Sequence, residues 1–567
     1  HLVSLLMPLP PSPRSVRLGS LSRGLSTVDP RLDIMSPDPF PEEDRPLDSG
    51  AHIARAAGII MLGNVVSRLL GLVREQVIGA LFGVKFATDV WVIAATAPTM
   101  VYDLLVSGAI SAALIPVFTD YADAPDREEL SRVVSAVLSM AAAVLALVTA
   151  VLVLLAPPLV DLLAGGFDQE ARALTTYLVR LILPSVLFMG MAGVLTAALY
   201  ARQSFTMPAF SVAVYNLGII LAGLLLADRL HVTSLVVGVL LGAALQVAIQ
   251  LPGLRGLRLR PTLNLRHPGV RTILKLYAPV ALGLVITNIG VVVDRNLASR
   301  TGEGSLAAMR FATTLVQFPL GLVAAATSFA VLPTLSRQAQ AAQRPYHSYS
   351  STLRMGIKMI LVLIVPAAVG LAVLREPIVQ LLFQRGAFDG SATSLTALAF
   401  LGYSPSIAFA AVDQLLIFAF YARKDTRTPV LVGVLAIPVY LVVALALIRP
   451  LGMLGLVLAN TVQTTFHALV LLWLLNRVVA GVVDGELGGF LARVVGAAVA
   501  MGLLCQGFLV VAQPMATTGP RVALLVVAAS GLGVVSYVLA VAALRVQEAR
   551  EVWAMLWGRV RRPRGVG

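Results

Sequence analysis

Two arginines, Arg68 and Arg74, stand six residues apart in a predominantly apolar stretch of this 567-residue chain. A guanidinium there is costly unless it faces protein or water, so each is a functional candidate by position. Its planar fork binds phosphate or diphosphate bidentately, and a spacing of about 1.7 helical turns lets both side chains border one wide cavity. The plainer reading is a helix-end arginine snorkelling to lipid headgroups. Asp89 follows a short connection, where it either pairs with a cavity cation or N-caps the helix it opens. Asp103 lies mid-span and either pairs with Arg74 or Arg295 or binds a coupling cation. Asp294 and Arg295 are adjacent, with Arg300 close behind, and form either a local salt bridge or part of a cavity wall. Arg310 is either an interface anchor or a cavity cation. Asp413 is an isolated carboxylate in a span and, with Asp294, a candidate coupling site for Na+ or H+. Asn216, Asn288, Gln317, Gln414, Asn460, Gln463 and His467 read mostly as interhelical hydrogen-bond partners.

The elements that must carry these residues follow from composition. With 58% hydrophobic and 13% charged residues, the chain has no water-soluble surface, and a soluble enzyme is excluded. Continuous apolar runs from residue 56 to residue 545 predict about fourteen membrane helices, and their continuity and length exclude a β-barrel. Residues 1–50, rich in Pro, Ser, Arg and Asp, read as a disordered cytoplasmic tail. Cys505, the single cysteine, excludes a disulfide framework, and six histidines without a close pair argue against zinc. The net charge of +14 orients the chain in a bilayer rather than binding nucleic acid. Cations gather in the even-numbered connections, as at Arg202, at Arg255 to Lys275, and at Arg423 to Arg427, which predicts that both termini are cytoplasmic. No Walker-type phosphate loop or Mg2+ carboxylate cluster is present, so a gradient or the membrane potential must supply energy and no cofactor is expected.

Polar motifs recur at an offset of 221 residues. LYARQSFTMPA (199–209) matches FYARKDTRTPV (420–430), GGFD (165–168) matches GAFD (386–389), and Pro98, Gly83 and Arg74 match Pro319, Gly304 and Arg295. Six spans per repeat return the second copy in the same orientation, as in parallel-repeat carriers built around a central cavity. The predicted fold is therefore an all-α polytopic membrane protein with two six-helix lobes, 51–254 and 255–477, and a C-terminal helix pair with a basic tail, 478–567.

SRLLGLVREQVIGALFG (67–83), FATDVW (86–91) and LVSGAISAALIPVF (105–118) resemble the MviN/MurJ family of lipid II flippases, in the multidrug/oligosaccharidyl-lipid/polysaccharide exporter superfamily. The likeness continues through 201–218, 293–321, 381–390 and 420–430. It implies alternating-access transfer of an undecaprenyl-diphosphate-linked peptidoglycan precursor across the bacterial cytoplasmic membrane, with membrane lipids and cell-wall synthesis proteins as partners. It also implies that the C-terminal pair and neighbouring spans form a groove for a lipid tail. Family cavity arginines align with Arg68, Arg74, Asp103 and Thr314, so two are kept and two are lost. Thr313 and Thr314 stand for a family Asn-Arg pair, and Gln317 for an acidic residue. Arg68, Arg74, Asp89, Asp103, Arg295, Thr314 and Gln317 are thus the expected substrate-contacting set. The lost arginines leave two other readings open: export of another polyprenyl-linked glycan or amphipathic molecule, and a non-transporting scaffold.

Overall fold

Every regular element among the described residues of the computed structural model is helical; these residues are 47–107, 110–122, 127–262, 264, 266–321, 334–339, 347–479, 481–512 and 518–546. Contacts divide the chain into His1–Ala54 and Arg55–Gly567. In the first unit, the described residues are helical from Leu47, so the expected tail boundary at residue 50 moves back into the first turn of α1 (Leu47–Phe82). The rest of the expected tail lies outside the described residues.

The second unit holds the remaining helices. α2 (Phe86–Tyr102) runs into a π-helical turn at Asp103–Ser107, and a second at Ile110–Leu114 leads into α3 (Ile115–Ala122). α4 (Arg127–Leu154), α5 (Ala156–Leu163), α6 (Gln169–Ile182), α7 (Ser185–Ala201), α8 (Thr206–Leu230) and α9 (Thr233–Gln250) complete the first repeat. The second comprises α10 (Pro268–Ala298), α11 (Ser305–Pro319), α12 (His347–Val373), α13 (Arg375–Phe383), α14 (Gly390–Ala422), α15 (Arg427–Leu451) and α16 (Met453–Val478). α17 (Gly485–Ala512) and α18 (Gly519–Ala543) follow.

Among the described residues, 11 helices are long and apolar enough to cross a membrane, or 12 if α10, bent by 50° between Ala278 and Gly283, is one span. The expected fourteen are not reached. α1 concentrates Arg68, Arg74 and Glu75 in its second half, and α11 has only 15 residues, about 22 Å of helix. Both departures coincide with the charged residues of the site.

The backbone repeats as the sequence does. Asp168 caps α6 by accepting from the Ala171 amide at 2.8 Å, and Asp389 caps α14 by accepting from Ala392 at 2.9 Å, the same pair 221 residues on. The Ser391 hydroxyl and the Ala392 amide also hold the Asp389 carboxyl below the usual range. The turns after α7 and α14 both pass through a left-handed residue, Gln203 (φ 55°) and Lys424 (φ 61°). Those after α8 and α15 do so at His231 (φ 47°) and Gly452 (φ 54°). Pro98 in α2 and Pro319 in α11, 221 residues apart, each precede a π-helical turn. Phe311, Phe383 and Phe388 of the second repeat cluster with centroids 5.2–5.6 Å apart, Phe383 stacked on Phe388 and Phe311 edge-on to it, and Gly79 of α1 in the first repeat leaves them room.

Candidate functional site

α1 carries Arg74 and Glu75 to a meeting point with α8 and α11. Arg74 donates from Nη1 to Asn216 Oδ1 at 2.9 Å and from Nη2 to Glu75 Oε1 at 2.6 Å. Arg310 closes on the same carboxylate with two bonds, Nε to Oε2 at 2.9 Å and Nη2 to Oε1 at 2.8 Å. The Glu75 side chain is 1% exposed, so without these partners it would be an uncompensated buried charge costing several kcal/mol. Asn216 is itself held, donating to the Ser67 carbonyl at 3.1 Å. One carboxylate and two guanidiniums leave one net positive charge, and the guanidiniums come from different repeats. Arg310 therefore acts as a cation of this network instead of an interface anchor. Glu75 is not in the set expected from the sequence, although an acidic residue beside Arg74 in an apolar run is a legible signal.

Arg68 also reaches the second repeat, donating from Nη1 to the Gln317 carbonyl at 3.2 Å. There α11 loosens into its π turn, and any Cβ at Gly321 would overlap the guanidinium. Gln317 thus contributes its backbone, while its side chain lies exposed. The Thr314 hydroxyl donates to the Arg310 carbonyl at 3.0 Å, and that of Thr313 bonds the Met309 and Arg310 carbonyls at 2.9 Å. Both hydroxyl hydrogens are spent on their own helix.

Asp89 takes neither expected role. Its carboxylate accepts from the amides of Gly304 (2.6 Å) and Ala307 (2.8 Å), so it caps α11 of the other repeat instead of its own helix or a cation. Gly304, the N-cap of α11, sits at φ 80° and has no side chain to satisfy the first-turn amides, which creates the demand. The service is returned, because Glu303 Oε1 accepts from the Phe86 amide at 2.9 Å at the start of α2. Around this reciprocal cap the backbones approach closely. A Cβ on Gly83 would strike the Ala387 carbonyl, one on Gly386 the Ala80 carbonyl, and one on Gly304 the Val84 oxygen at 2.6 Å. This end of the bundle is therefore closed by backbone contact plus two buried charge-assisted bonds.

The other expected residues fall into separate groups. Among the described residues Asp103 has no ion-pair partner, so the expected pairing with Arg74 or Arg295 does not form. The reason is proximity: Glu75 and Asp294, each the sequence neighbour of one arginine, hold those guanidiniums first. Asp103 instead opens the π turn after α2, half-exposed. Arg295 donates to Asp294 at 3.3 Å, and Asp294 accepts from the Tyr440 hydroxyl on α15 at 2.7 Å. Arg295 shares no partner with Arg74. Asp413 is not isolated, since His467 Nδ1 lies 2.7 Å from it.

An apolar cavity of about 780 Å³ opens between α12, α17 and α18, lined by Val362, Pro366, Gly370, Met501, Cys505 and Gly533. α17 is fixed to α12 at its start by ion pairs from Arg354 to Asp484 and from Lys358 to Glu486 (2.7 Å). Tyr537 of α18 donates to the Val362 carbonyl at 2.8 Å. This groove is where the resemblance placed a lipid-tail site.

The pattern of the lipid II flippase MurJ family matches residues 78–526. The chain belongs to that family. It is similar to the lipid II flippase MurJ of Burkholderia cenocepacia, 28% identical over 452 residues covering 78% of this chain and 87% of the relative. It is also similar to the probable lipid II flippase MurJ of Haemophilus influenzae, 29% identical over 457 residues covering 77% and 89%. A solved lipid II flippase MurJ in an inward closed conformation shares the fold with a TM-score of 0.72 and 20% identity over 89% of this chain and 99% of that one. An inward-facing multidrug resistance MATE family transporter of the MOP superfamily shares it more loosely, with a TM-score of 0.55 and 15% identity over 76% and 95%. Arg310 lies four residues before Thr314 and so one helical turn away.

Proposed function

We propose that this chain is a lipid II flippase that moves its cargo from the cytoplasmic to the outer leaflet by alternating access. The observation that carries the mechanism is the convergence of Arg74 and Arg310, one from each repeat, on the buried Glu75 carboxylate. Guanidiniums bound to a carboxylate are already arranged for a diphosphate, whose oxygens accept the same N–H bonds with more charge. Cargo that displaces Glu75 removes the tie between α1 and α11, so binding favours a different arrangement of the repeats. Cations at Arg202, Arg255 and Arg423 mark the cytoplasmic side, which puts the closed Gly83–Gly304 end outside and both termini inside. The polyprenyl tail would lie in the α12–α17–α18 groove. Each charge crossing the membrane field gains about 2.3 kcal/mol per 100 mV, which can bias the cycle without ATP.

The test is flipping of labelled lipid II in proteoliposomes. Arg74→Ala and Arg310→Ala should each abolish transport while leaving insertion and folding intact; full activity of both would refute the mechanism. A second reading, a less anionic polyprenyl-linked cargo, is favoured by Asp103 and by the inward-bonded Thr314. In a bacterium depleted of its own flippase, strong complementation by the unmodified chain supports lipid II. Complementation only by Asp103→Arg with Thr314→Arg supports the second reading.

A further inference from the structure

Asp413 on α14 and His467 on α16 form a membrane-embedded pair that the transport scheme leaves unused. His467 Nδ1 lies 2.7 Å from Asp413 Oδ1, and Nε2 lies 3.3 Å from the Pro429 carbonyl oxygen in the first turn of α15. A carbonyl oxygen and an ionised carboxylate only accept, so a neutral imidazole leaves one bare nitrogen facing an oxygen lone pair. Both contacts are satisfied only by an imidazolium beside a carboxylate, or by an imidazole beside a carboxylic acid. Either state holds one proton more than a neutral histidine beside a carboxylate.

The pair breaks the internal repeat. Its counterparts 221 residues earlier are Ala192 and Gln246, although the flanking Tyr, Arg and Pro are kept at 200, 202 and 208. Side-chain exposures of 15% for His467 and 16% for Asp413 leave a path for proton exchange. The charged groups on the surrounding helices bond to other partners or stand at helix ends. α10 offers Asp294 and Arg295, joined to each other and to Tyr440 of α15. α11 offers Arg310, bound to Glu75, and α12 offers Tyr349, Arg354 and Lys358, bound to Ala419, Asp484 and Glu486. Arg375 of α13 donates to the Ala372 carbonyl. Tyr421 and Arg423 close α14, Arg427 and Arg449 stand at the ends of α15, and Arg477 at the end of α16 lies over the Trp473 ring. Among the described residues, Asp413 and His467 are each other's only ion-pair partner.

We propose that Asp413 and His467 form a proton-binding site which, when loaded, pins the first turn of α15 to α14 and α16, and which releases it on unloading. Loss of the proton turns the Nε2–H bond to Pro429 into a lone-pair repulsion, and Pro429 opens the helix that also carries Tyr440. Under the flippase reading, on which this extension rests, the second repeat then responds to the proton gradient; the proton site itself does not depend on that reading.

The test uses the full chain in lipid nanodiscs with 15N-labelled histidine, the His467 signals being identified by their loss in His467→Gln. The expected result is an imidazole protonated on both nitrogens, or hydrogen-bonded to a carboxylic acid, at neutral pH, with a single proton-release step that moves to lower pH in Asp413→Asn. A bare Nε2 throughout about pH 5 to 9, or a step unchanged in Asp413→Asn, would overturn the proposal. If Asp413→Asn does not fold, Asp413→Ala with His467→Gln reproduces the first-repeat pair. Potentiometric titration should then show one proton fewer than the native chain, and equal proton counts would refute the site. Transport of lipid II in proteoliposomes separates the two readings. No transport at any pH, with the proton step present, would sink the flippase reading alone. Transport independent of pH, with the step present, would sink the coupling.

Discussion

Replacing Asp89 by alanine should unlatch the closed end of the bundle. The carboxylate is 4% exposed and accepts two backbone N–H bonds from α11, so water does not screen what is lost. Charge-assisted bonds contribute about 1.5–3 kcal/mol each, and the lower figure gives about 3 kcal/mol for the pair. At about 1.4 kcal/mol per decade, that raises the population open at this end by roughly 100-fold. Asp89→Asn keeps one acceptor and should fall between, near tenfold. Glu303→Gln, on the exposed reciprocal bond to Phe86, removes about 1 kcal/mol or less and serves as the comparison. The assay is the rate at which a membrane-impermeant maleimide, added outside, labels Val84→Cys in a Cys505→Ser background. Val84 is 9% exposed, and its carbonyl abuts Gly304. A folded Asp89→Ala protein that labels at the parent rate would show that backbone packing alone holds this end, and the latch would be refuted.

Gly386→Ala should also open that end, because φ is 57° and the new Cβ would strike the Ala80 carbonyl; faster Val84→Cys labelling together with weaker transport checks it. Gly533→Leu should fill the apolar groove, since even a Cβ there stands 3.2 Å from Cys505 Sγ. Mass spectrometry should then find less co-purified lipid, and undiminished lipid would count against the groove as the tail site. Cysteines at Arg449 and Arg521 should react with outside reagents while those at Arg258 and Arg423 do not, and the reverse pattern would invert the topology.

Features that arise from local physics were legible in the chain before any fold was known. Long apolar runs cannot satisfy their backbone in a bilayer except as helices, so the all-α membrane class was readable. The repeat was readable too, because Asp168 and Asp389 cap their own helices and Gln203 and Lys424 lie in matching turns, all within a few residues of chain. Arg68 and Arg74 stood out because a charge in an apolar run has few tolerable fates. Tertiary structure decided which groups meet. Glu75 and Arg310 are 235 residues apart, and Asp89 and Gly304 are 215 apart. No local pattern says that α1 crosses α11, or that the uncapped start of α11 lies within reach of α2. Asp413 gains His467 for the same reason: the partner of a charge in the membrane is set by which helices pack together, and that is a property of the whole bundle.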